Sequence, residues 1–221
     1  MKKNIVQNIK RYLSKYGKPK FRTTFLENPS PKFILDIGIA NDSYEECKSV
    51  YPDSIYHCID KHDIDFQMKV GDRFILCDLQ DPVSLESLNP VYDLVIVNHV
   101  MEHLTNGEEV FKKLCNLLQT GGVLYAEFPS IRTAFKKKNG PNYHFHDDLT
   151  HISFYVLENL ANIALKSGCH IISCGPSTSP PLKYMISIPR GLLNFILGKG
   201  FVRFLPSGVK KIDHIFVKKI L

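Results

Sequence analysis

The chain has 221 residues, 44% of them hydrophobic, which is enough for one domain with a sizeable core. Its formal net charge of +6 is mildly basic, but the longest basic run is the triplet at 136–138, so we expect no nucleic-acid partner. The opening residues lack the apolar run of a signal peptide, and no stretch reaches the roughly 18 apolar residues of a membrane span. The six cysteines include no C-x-x-C pair and are interpreted as buried free thiols, which favours a reducing, cytoplasmic location.

Residues 1–28 form a lead-in to the predicted domain, which spans 29–221. Apolar residues between Ile5 and Tyr16 recur on one helical face, opposite several lysines, and this pattern predicts an amphipathic helix. The helix packs on the domain or caps a pocket in one interpretation, and it contacts lipid in the other.

The segment from Lys32 to Asp60 has the order strand, glycine turn, helix, strand, acid. Residues 33–37 are a short apolar run that predicts a buried strand, and Gly38 follows directly. Ser43 to Glu46 has the spacing of a capping box, which predicts a helix start, and residues 54–59 predict a second strand. A helix N-terminus beside an acid at the next strand end suits a nucleoside-like ligand. A dinucleotide is disfavoured because Gly38 is the only glycine of the G-x-G-x-x-G pattern.

This segment resembles motif I of the class I S-adenosylmethionine (SAM) methyltransferases, L-D-x-G-x-G-x-G with an acid closing the second strand. The matching residues are Leu35, Asp36, Gly38 and Asp60. The sequence departs from the pattern at Ala40 and Asp42, where the family usually has glycine. That departure motivates an alternative function, a non-catalytic domain that keeps the fold and has lost the cofactor or turnover.

The next strands continue the same resemblance. Residues 73–77 predict a third strand, followed by Asp78, and the short connection 61–72 leaves little room for a crossover helix. YDLVIV at 92–97 is the clearest buried strand, because it is continuous and rich in β-branched residues. VLYAEF at 123–128 predicts a fifth strand, and the two strings resemble the fourth and fifth strands of SAM methyltransferases.

The helix between these two strands has start and stop signals. Asn106 with Glu109 offers an N-cap signature, and apolar residues from Val110 to Leu118 give a helical stripe. Gly121 and Gly122 are predicted to end this helix at its C-cap.

The resemblance implies a three-layer, Rossmann-like α/β fold with a mainly parallel, seven-stranded sheet whose last strand is antiparallel. It implies SAM as cofactor. The cofactor-binding residues that it implies are Asp36, Gly38, Ala40, Asp60, Asp78, Leu79, Asn98 and His99.

The sequence from His99 to His103 also matches H-x-x-E-H, the inverted zinc-protease pattern. A metal hydrolase built on His99, Glu102 and His103 is therefore a further alternative, although the motif follows a strand instead of lying within a long helix. Quinone-type O-methyltransferases carry a related element that can hold a divalent ion, and Glu102 and His103 match its end. The simpler interpretation assigns no metal and has these two residues brace the loop.

Residues 141–151, PNYHFHDDLTH, place three histidines in one polar loop after the fifth strand. The segment resembles methyltransferases of the ubiquinone and cell-surface-glycan type, which have an Asp-x-x-His element that Asp148 and His151 match. His151 orders the loop, contacts the acceptor or acts as a base, and a metal site in this loop is a further alternative. The candidate bases for a hydroxyl acceptor are His151, His146 and His103.

The end of the chain predicts a helix over 156–164, a sixth strand over 169–174 and a last strand over 212–220. Between the last two strands, residues 189–206 are unusually apolar for an insertion. They are predicted to form a lid, a dimer face or a surface for peripheral membrane contact.

These patterns together predict a SAM-dependent methyltransferase. The expected acceptor is a hydroxyl of a saccharide or of another small or lipid-linked molecule.

Overall fold

The computed structural model describes residues 24, 28, 30–39, 43–63, 67–81, 83, 85–86, 88–89, 91–135, 144–176 and 212–220. The predicted amphipathic helix and the apolar insertion at 189–206 lie outside the described residues, as do Ala40 and Asp42.

Seven strands form one sheet in the order β3-β2-β1-β4-β5-β7-β6. Their bounds are β1 Phe33–Ile37, β2 Ile55–Asp60, β3 Arg73–Leu76, β4 Tyr92–Asn98, β5 Leu118–Pro129, β6 Cys169–Pro176 and β7 Ile212–Lys219. The pairs from β3 to β5 are parallel, and β7 is antiparallel to both of its neighbours. The predicted Rossmann-like fold is confirmed, including the antiparallel last strand.

Helices cover both faces of this sheet. They are α1 Ser43–Val50, α2 Gly107–Asn116 and α3 Leu157–Lys166, with 3₁₀ helices at Met101–His103, Ile131–Thr133 and Phe145–Asp147. One apolar core packs α2 and α3 against the sheet, and a second core packs α1 against the opposite face. The buried faces follow from alternation along each strand, which sends successive side chains to the two cores.

The connection between β2 and β3 contains no helix within its described residues, 61–63 and 67–72, as the sequence predicts. Asp72 ties this connection to its neighbours instead. Its carboxylate accepts hydrogen bonds from Lys48 Nζ at 2.7 Å, from the Tyr44 hydroxyl at 2.7 Å and from the Tyr56 backbone N–H at 2.8 Å. One buried acid thereby fixes the loop against α1 and β2.

Of the two signals predicted for the ends of α2, the start is confirmed and the stop was wrong. Asn106 is the N-cap residue, and its carbonyl accepts from the Val110 N–H at 3.0 Å, but its side chain makes no cap and its Nδ2 donates to the Leu79 carbonyl at 2.9 Å. The helix ends at Asn116, and Gly121 and Gly122 lie inside β5. They serve an irregularity in the pairing with β4: Gly121 has φ +86°, and a Cβ on Gly122 would lie 2.6 Å from the Tyr92 carbonyl oxygen.

The cysteines form no disulfide. Cys47, Cys58, Cys115 and Cys169 are buried as predicted, whereas Cys77 is partly exposed and Cys174 is exposed. Within the described residues, no helix has the length and apolar character that crossing a bilayer requires.

Candidate active site

The strand order creates a crevice between β1 and β4. The chain moves from β1 outward to β2 and β3, then crosses back to β4 on the other side of β1. Ligands of open α/β sheets bind at such a switch point, beyond the carboxyl ends of the strands. Gly38 and His99 are the residues that directly follow these two strands.

Gly38 makes the turn at the end of β1. Its φ is +67°, and its N–H donates to the Ile59 carbonyl at 2.8 Å. A Cβ at this position would lie 2.2 Å from Val100 Cγ2, so the loop after β4 leaves no room for a side chain. Glycine is therefore required here both by backbone conformation and by packing.

Asp60 ends β2 beside this turn. Its Oδ2 accepts from the Ile39 N–H at 3.2 Å, and its Oδ1 accepts from the His62 N–H at 2.9 Å. The carboxylate is partly exposed and keeps further lone pairs for donors from outside. The acid and the glycine turn are thus one unit, and they fit a ribose at this edge.

Asp36 lies beneath the turn and is fully buried. Its Oδ2 accepts from the Tyr56 hydroxyl at 2.8 Å. Burial, reinforced by the Asp36 charge, raises the pKa of Tyr56 well above its usual value, so the phenol remains a donor. Asp36 therefore joins β1 to β2 inside the sheet, just before the turn.

Asp78 and Leu79 come after β3, and their side chains lie in different environments. Asp78 is exposed, and its Oδ1 accepts from the Gln80 N–H at 2.9 Å. The Leu79 side chain is buried in the core that packs α2, and its carbonyl is the acceptor for Asn106. Of the two, Asp78 is the one whose side chain faces solvent.

Asn98 ends β4 and His99 follows it, next to Glu127 of β5. Asn98 Nδ2 lies 3.4 Å from Glu127 Oε2, and the His99 N–H donates to the Glu127 carbonyl at 2.9 Å. His99 has φ +55°, a strained conformation for a residue other than glycine, and it turns the chain sharply at the crevice. Sequence reasoning missed Glu127, whose signal was a single charge within the apolar run VLYAEFP.

Three side chains converge beyond β4: Glu102, His103 and His151. Their ligand-type atoms all lie within 4.8 Å of one another, a grouping that could hold a divalent ion. Glu102 is 1% exposed, and its backbone carbonyl accepts from the N–H groups of Ile152 and Ser153 at 2.9 and 3.1 Å. Glu102 therefore also anchors the segment after β5, as the simpler interpretation of the sequence expected.

The tautomer of His103 follows from its partners. The Thr150 hydroxyl lies 2.6 Å from Asp148 Oδ1 and donates its one proton to that carboxylate. His103 Nδ1 is 2.9 Å from the same hydroxyl and 3.2 Å from the Thr150 carbonyl, so Nδ1 must be the donor. In the neutral ring, Nε2 then carries the lone pair. Hydrogen bonds from Thr150 lower the pKa of Asp148, which keeps this acceptor ionised.

His151 is almost inaccessible, with 8% exposure. Its Nδ1 lies 2.9 Å from the Phe145 carbonyl, and its Nε2 lies 3.9 Å from Glu102 Oε1 and 3.6 Å from Asp148 Oδ2. Its ring packs edge-on to His103 with centroids 4.9 Å apart. These contacts make His151 the internal support of the loop.

The other two histidines of the loop lie apart from this cluster. His144 caps the 3₁₀ helix, because its Nδ1 accepts from the His146 N–H at 3.1 Å while its own N–H donates to Asp147 Oδ2 at 2.8 Å. His146 is exposed and packs edge-on to Phe154 with centroids 5.8 Å apart. The sequence placed three histidines together, and the fold brings only His151 to His103.

The zinc-protease pattern does not form a zincin site. Glu102 and His103 lie on a single 3₁₀ turn, and His99 precedes that turn at the end of β4. The metal-type cluster takes His151 as its third member instead of His99.

Comparison with known proteins agrees with the fold. Residues 8–174, more than half of the chain, match the family described as "Methyltransferase domain". None of the curated proteins matches the sequence.

Three similar solved structures are methyltransferases. A SAM-dependent enzyme from Archaeoglobus fulgidus has a TM-score of 0.59 and 19% identity, over 95% of this chain and 94% of its own. NodS, an N-methyltransferase from Bradyrhizobium japonicum WM9 in complex with S-adenosylhomocysteine, has a TM-score of 0.53 and 13% identity, over 91% and 88%. Phosphoethanolamine N-methyltransferase 2 from Haemonchus contortus, in complex with SAM, has a TM-score of 0.58 and 13% identity, over 97% of this chain and 57% of that protein.

The sheet order, the glycine turn and the acid at the end of β2 define a class I methyltransferase domain. The chain belongs to the methyltransferase-domain family.

Proposed function

We propose that the chain is a SAM-dependent methyltransferase that methylates a hydroxyl of a saccharide or of another small or lipid-linked acceptor. The observation that carries the proposal is the unit formed by Gly38, Ile39 and Asp60 at the β1–β4 crevice. The solved structures of NodS and of the phosphoethanolamine enzyme support it, because they hold S-adenosylhomocysteine and SAM.

The residues at the crevice fit the cofactor. Asp60 would accept the ribose hydroxyls, Gly38 would let the backbone approach the ligand closely, and Asp78 would face the adenine side. Asp36 would act from beneath the turn, while Asn98 and His99 would border the methionine portion. When bound, SAM supplies an electrophilic methyl group, and the protein mainly has to position a nucleophile in line with it.

His103 is the proposed base for the acceptor hydroxyl. Its Nδ1–H is held by Thr150, and Thr150 is in turn held by Asp148, so the basic Nε2 has a fixed orientation. His103 is partly exposed, whereas His151 is buried. His151 therefore acts as a positioning residue, and His146 is an exposed side chain at the rim that the acceptor can contact.

The test of the cofactor site is calorimetric titration of the protein with SAM and with S-adenosylhomocysteine. We expect micromolar binding that Asp60→Ala weakens at least tenfold, because the variant removes the ribose acceptor and releases the Ile39 N–H. Asp63→Ala, at an exposed acid three residues further on, is the matched control and should bind normally.

The outcome separates the proposed function from its alternative. A folded protein that binds neither ligand would be a non-catalytic member of the family, and the methyltransferase proposal would fail. Metal analysis of the same sample tests whether the cluster of Glu102, His103 and His151 holds an ion.

A further inference from the structure

A buried carboxylate lies on the 3₁₀ turn that follows β4. Glu102 is 1% exposed, and its Oε1 accepts from His99 Nδ1 at 3.2 Å. Its Oε2 is also buried and has no hydrogen-bond partner among the described residues. In the part of the chain that the structure describes, the ion-pair partners of this carboxylate are histidines and include no lysine or arginine. A carboxylate buried in this way is costly unless a positive charge compensates it.

The two histidines that cluster with Glu102 have the same tautomer. His151 Nδ1 lies 2.9 Å from the Phe145 carbonyl oxygen, which can only accept, so Nδ1 carries the proton. His103 Nδ1 is the donor to Thr150 for the same reason. In the neutral rings, both Nε2 atoms therefore carry lone pairs. Because His151 Nε2 is the atom nearest to Glu102, a lone pair and a carboxylate oxygen face each other there.

The distances between these atoms favour a metal ion over an added proton. A protonated His151 would hold a carboxylate at about 2.7–2.9 Å, the length of a charge-assisted hydrogen bond. Its Nε2 instead lies 3.9 Å from Glu102 Oε1 and 3.6 Å from Asp148 Oδ2. Two ligands of one zinc ion, each bonded at roughly 2.0–2.2 Å, lie about 3.4 Å apart in a tetrahedral site. A small inward shift of the side chains would bring the cluster, whose ligand-type atoms lie within 4.8 Å of one another, to that spacing.

Both imidazoles are held from behind in the manner of metal-binding histidines. The Phe145 carbonyl fixes the ring of His151, and Thr150 fixes the ring of His103. Thr150 is in turn held by its hydrogen bond to Asp148. Such partners set the tautomer and the orientation of a ligating histidine. The two rings are therefore ordered in the form that binds a metal.

The donor set indicates which ion fits. Two imidazoles and one carboxylate are the protein ligands of zinc sites that keep an open coordination position. Mg²⁺ and Ca²⁺ are bound mainly by oxygen ligands. The third ligand, His151, comes from the segment after β5, whereas His99 donates a hydrogen bond to Glu102. The set therefore differs from both motifs that the sequence matches around His99, and it is assembled by the fold.

We propose that Glu102, His103 and His151 bind one zinc ion, through the carboxylate and through the Nε2 atom of each ring. The ion supplies the positive charge that compensates the buried carboxylate.

The zinc ion and the proposed base exclude each other. His103 Nε2 is the atom that removes the acceptor proton in the proposed function, and a lone pair bound to zinc cannot accept a proton. Zinc is therefore an inhibitor of methyl transfer, and its removal restores the base. This consequence rests on the proposed function, whereas the binding of zinc does not.

The experiment uses the full chain without a histidine tag, stripped of metal with EDTA and titrated with zinc in a calorimeter. We expect one equivalent to bind with a micromolar or lower Kd, and Mg²⁺ to show no binding at the same concentrations. Glu102→Gln keeps the size of the side chain and should weaken zinc binding by about 100-fold or more. Co²⁺ in place of zinc reports the ligands, and its spectrum should lack the sulfur-to-cobalt band that binding to the exposed Cys174 would give.

Two further variants make the test specific. His103→Gln changes a partly exposed side chain, so it should fold even if Glu102→Gln does not, and it should weaken zinc binding to a similar degree. His170→Gln, at an exposed histidine of β6, is the matched control and should bind zinc as the wild-type protein does.

The outcomes are distinguishable. Absence of stoichiometric zinc binding by the wild-type protein overturns the proposal, and a protonated His151 would then compensate Glu102. Zinc binding that His103→Gln leaves unchanged also overturns it, because the ion would then lie elsewhere. Zinc that binds at this cluster without inhibiting methyl transfer overturns the competition with the base. Failure to bind S-adenosylhomocysteine is a failure of the proposed function, and the zinc titration, which needs no cofactor, still tests the site.

Discussion

The two sides of the candidate site are built by different means. On the cofactor side, Gly38 and Asp60 lie at the ends of adjacent parallel strands. The Gly38 N–H donates to the Ile59 carbonyl and the Ile39 N–H donates to the Asp60 carboxylate, each across 21 positions of sequence. On the acceptor side, His103 meets Thr150 and Glu102 meets His151, across 47 and 49 positions, on irregular backbone. The geometry of the cofactor side is set by strand pairing in the sheet. The geometry of the acceptor side is set by contacts between two loops.

The largest expected effect lies on the cofactor side. Gly38→Ala adds a Cβ that would lie 2.2 Å from Val100 Cγ2, at a residue with φ +67°. We expect a loss of roughly 3 kcal/mol in the free energy of unfolding, from the strained backbone and the displaced loop together. Urea denaturation measures this loss, and SAM affinity should fall with it.

Gly71→Ala is the control for that variant. Gly71 also has a positive φ, +96°, but no atom would lie within 4 Å of its Cβ. Gly71→Ala should therefore lower the free energy of unfolding only by the cost of the strained backbone, about 1 kcal/mol. If the two variants lose the same free energy of unfolding, the close packing of Val100 on Gly38 contributes nothing to the cost of Gly38→Ala.

The acceptor side should respond in turnover more than in stability. His103→Gln should lower kcat by about 100-fold, because a positioned base contributes roughly that much or more. SAM affinity should stay unchanged, because His103 lies beyond the crevice. Steady-state assays with an acceptor found by screening, combined with calorimetry, separate the two quantities.

His170→Gln provides the reference for this change, since His170 is exposed at the start of β6, at the opposite edge of the sheet. Partial rescue of His103→Gln by added imidazole would support a base. An unchanged kcat in His103→Gln would assign the proton transfer to another group.

The difference between the two sides also explains what sequence could predict. Strand ends such as Asp60 and Asn98 follow from apolar runs, because a run that ends in a polar residue marks the edge of a parallel sheet. The strands and their polar ends were therefore predicted from the residues, and the fold was implied by the resemblance of these segments to SAM methyltransferases. Glu127 was missed because a single acid within an apolar run gives no local signal that it lies beside Asn98 at the end of β4.

The predictions from sequence were least accurate in the loops and at the ends of helices. His144, His146 and His151 are close in sequence, yet only His151 reaches His103, because the 3₁₀ helix at Phe145–Asp147 turns the other two away. Asn106 is the N-cap residue of α2 as predicted, but its side chain donates to the distant Leu79 carbonyl instead of capping the helix. Gly121 and Gly122 serve a strand irregularity that no local pattern distinguishes from a helix end. In each case a contact that is distant in sequence outweighs a local preference.

The smallest predicted effect concerns Asp72, which lies in the loop between β2 and β3. In place of a crossover helix, its hydrogen bonds link this loop to α1 and β2. Burial alone would raise the pKa of Asp72, but hydrogen bonds from Lys48, from Tyr44 and from the Tyr56 N–H outweigh it and lower the pKa. A carboxylate with a lowered pKa stabilises the fold above its unfolded pKa, near 4, and this contribution is lost as pH falls through the folded value. Asp72→Asn should therefore lower the free energy of unfolding by about 1–2 kcal/mol at pH 7, and the difference from wild type should shrink below about pH 4.

Urea denaturation across this pH range measures the difference, with Asp53→Asn, at an exposed acid, as control. A difference that stays constant with pH would mean that Asp72 acts through packing, and that the loop is held without its charge.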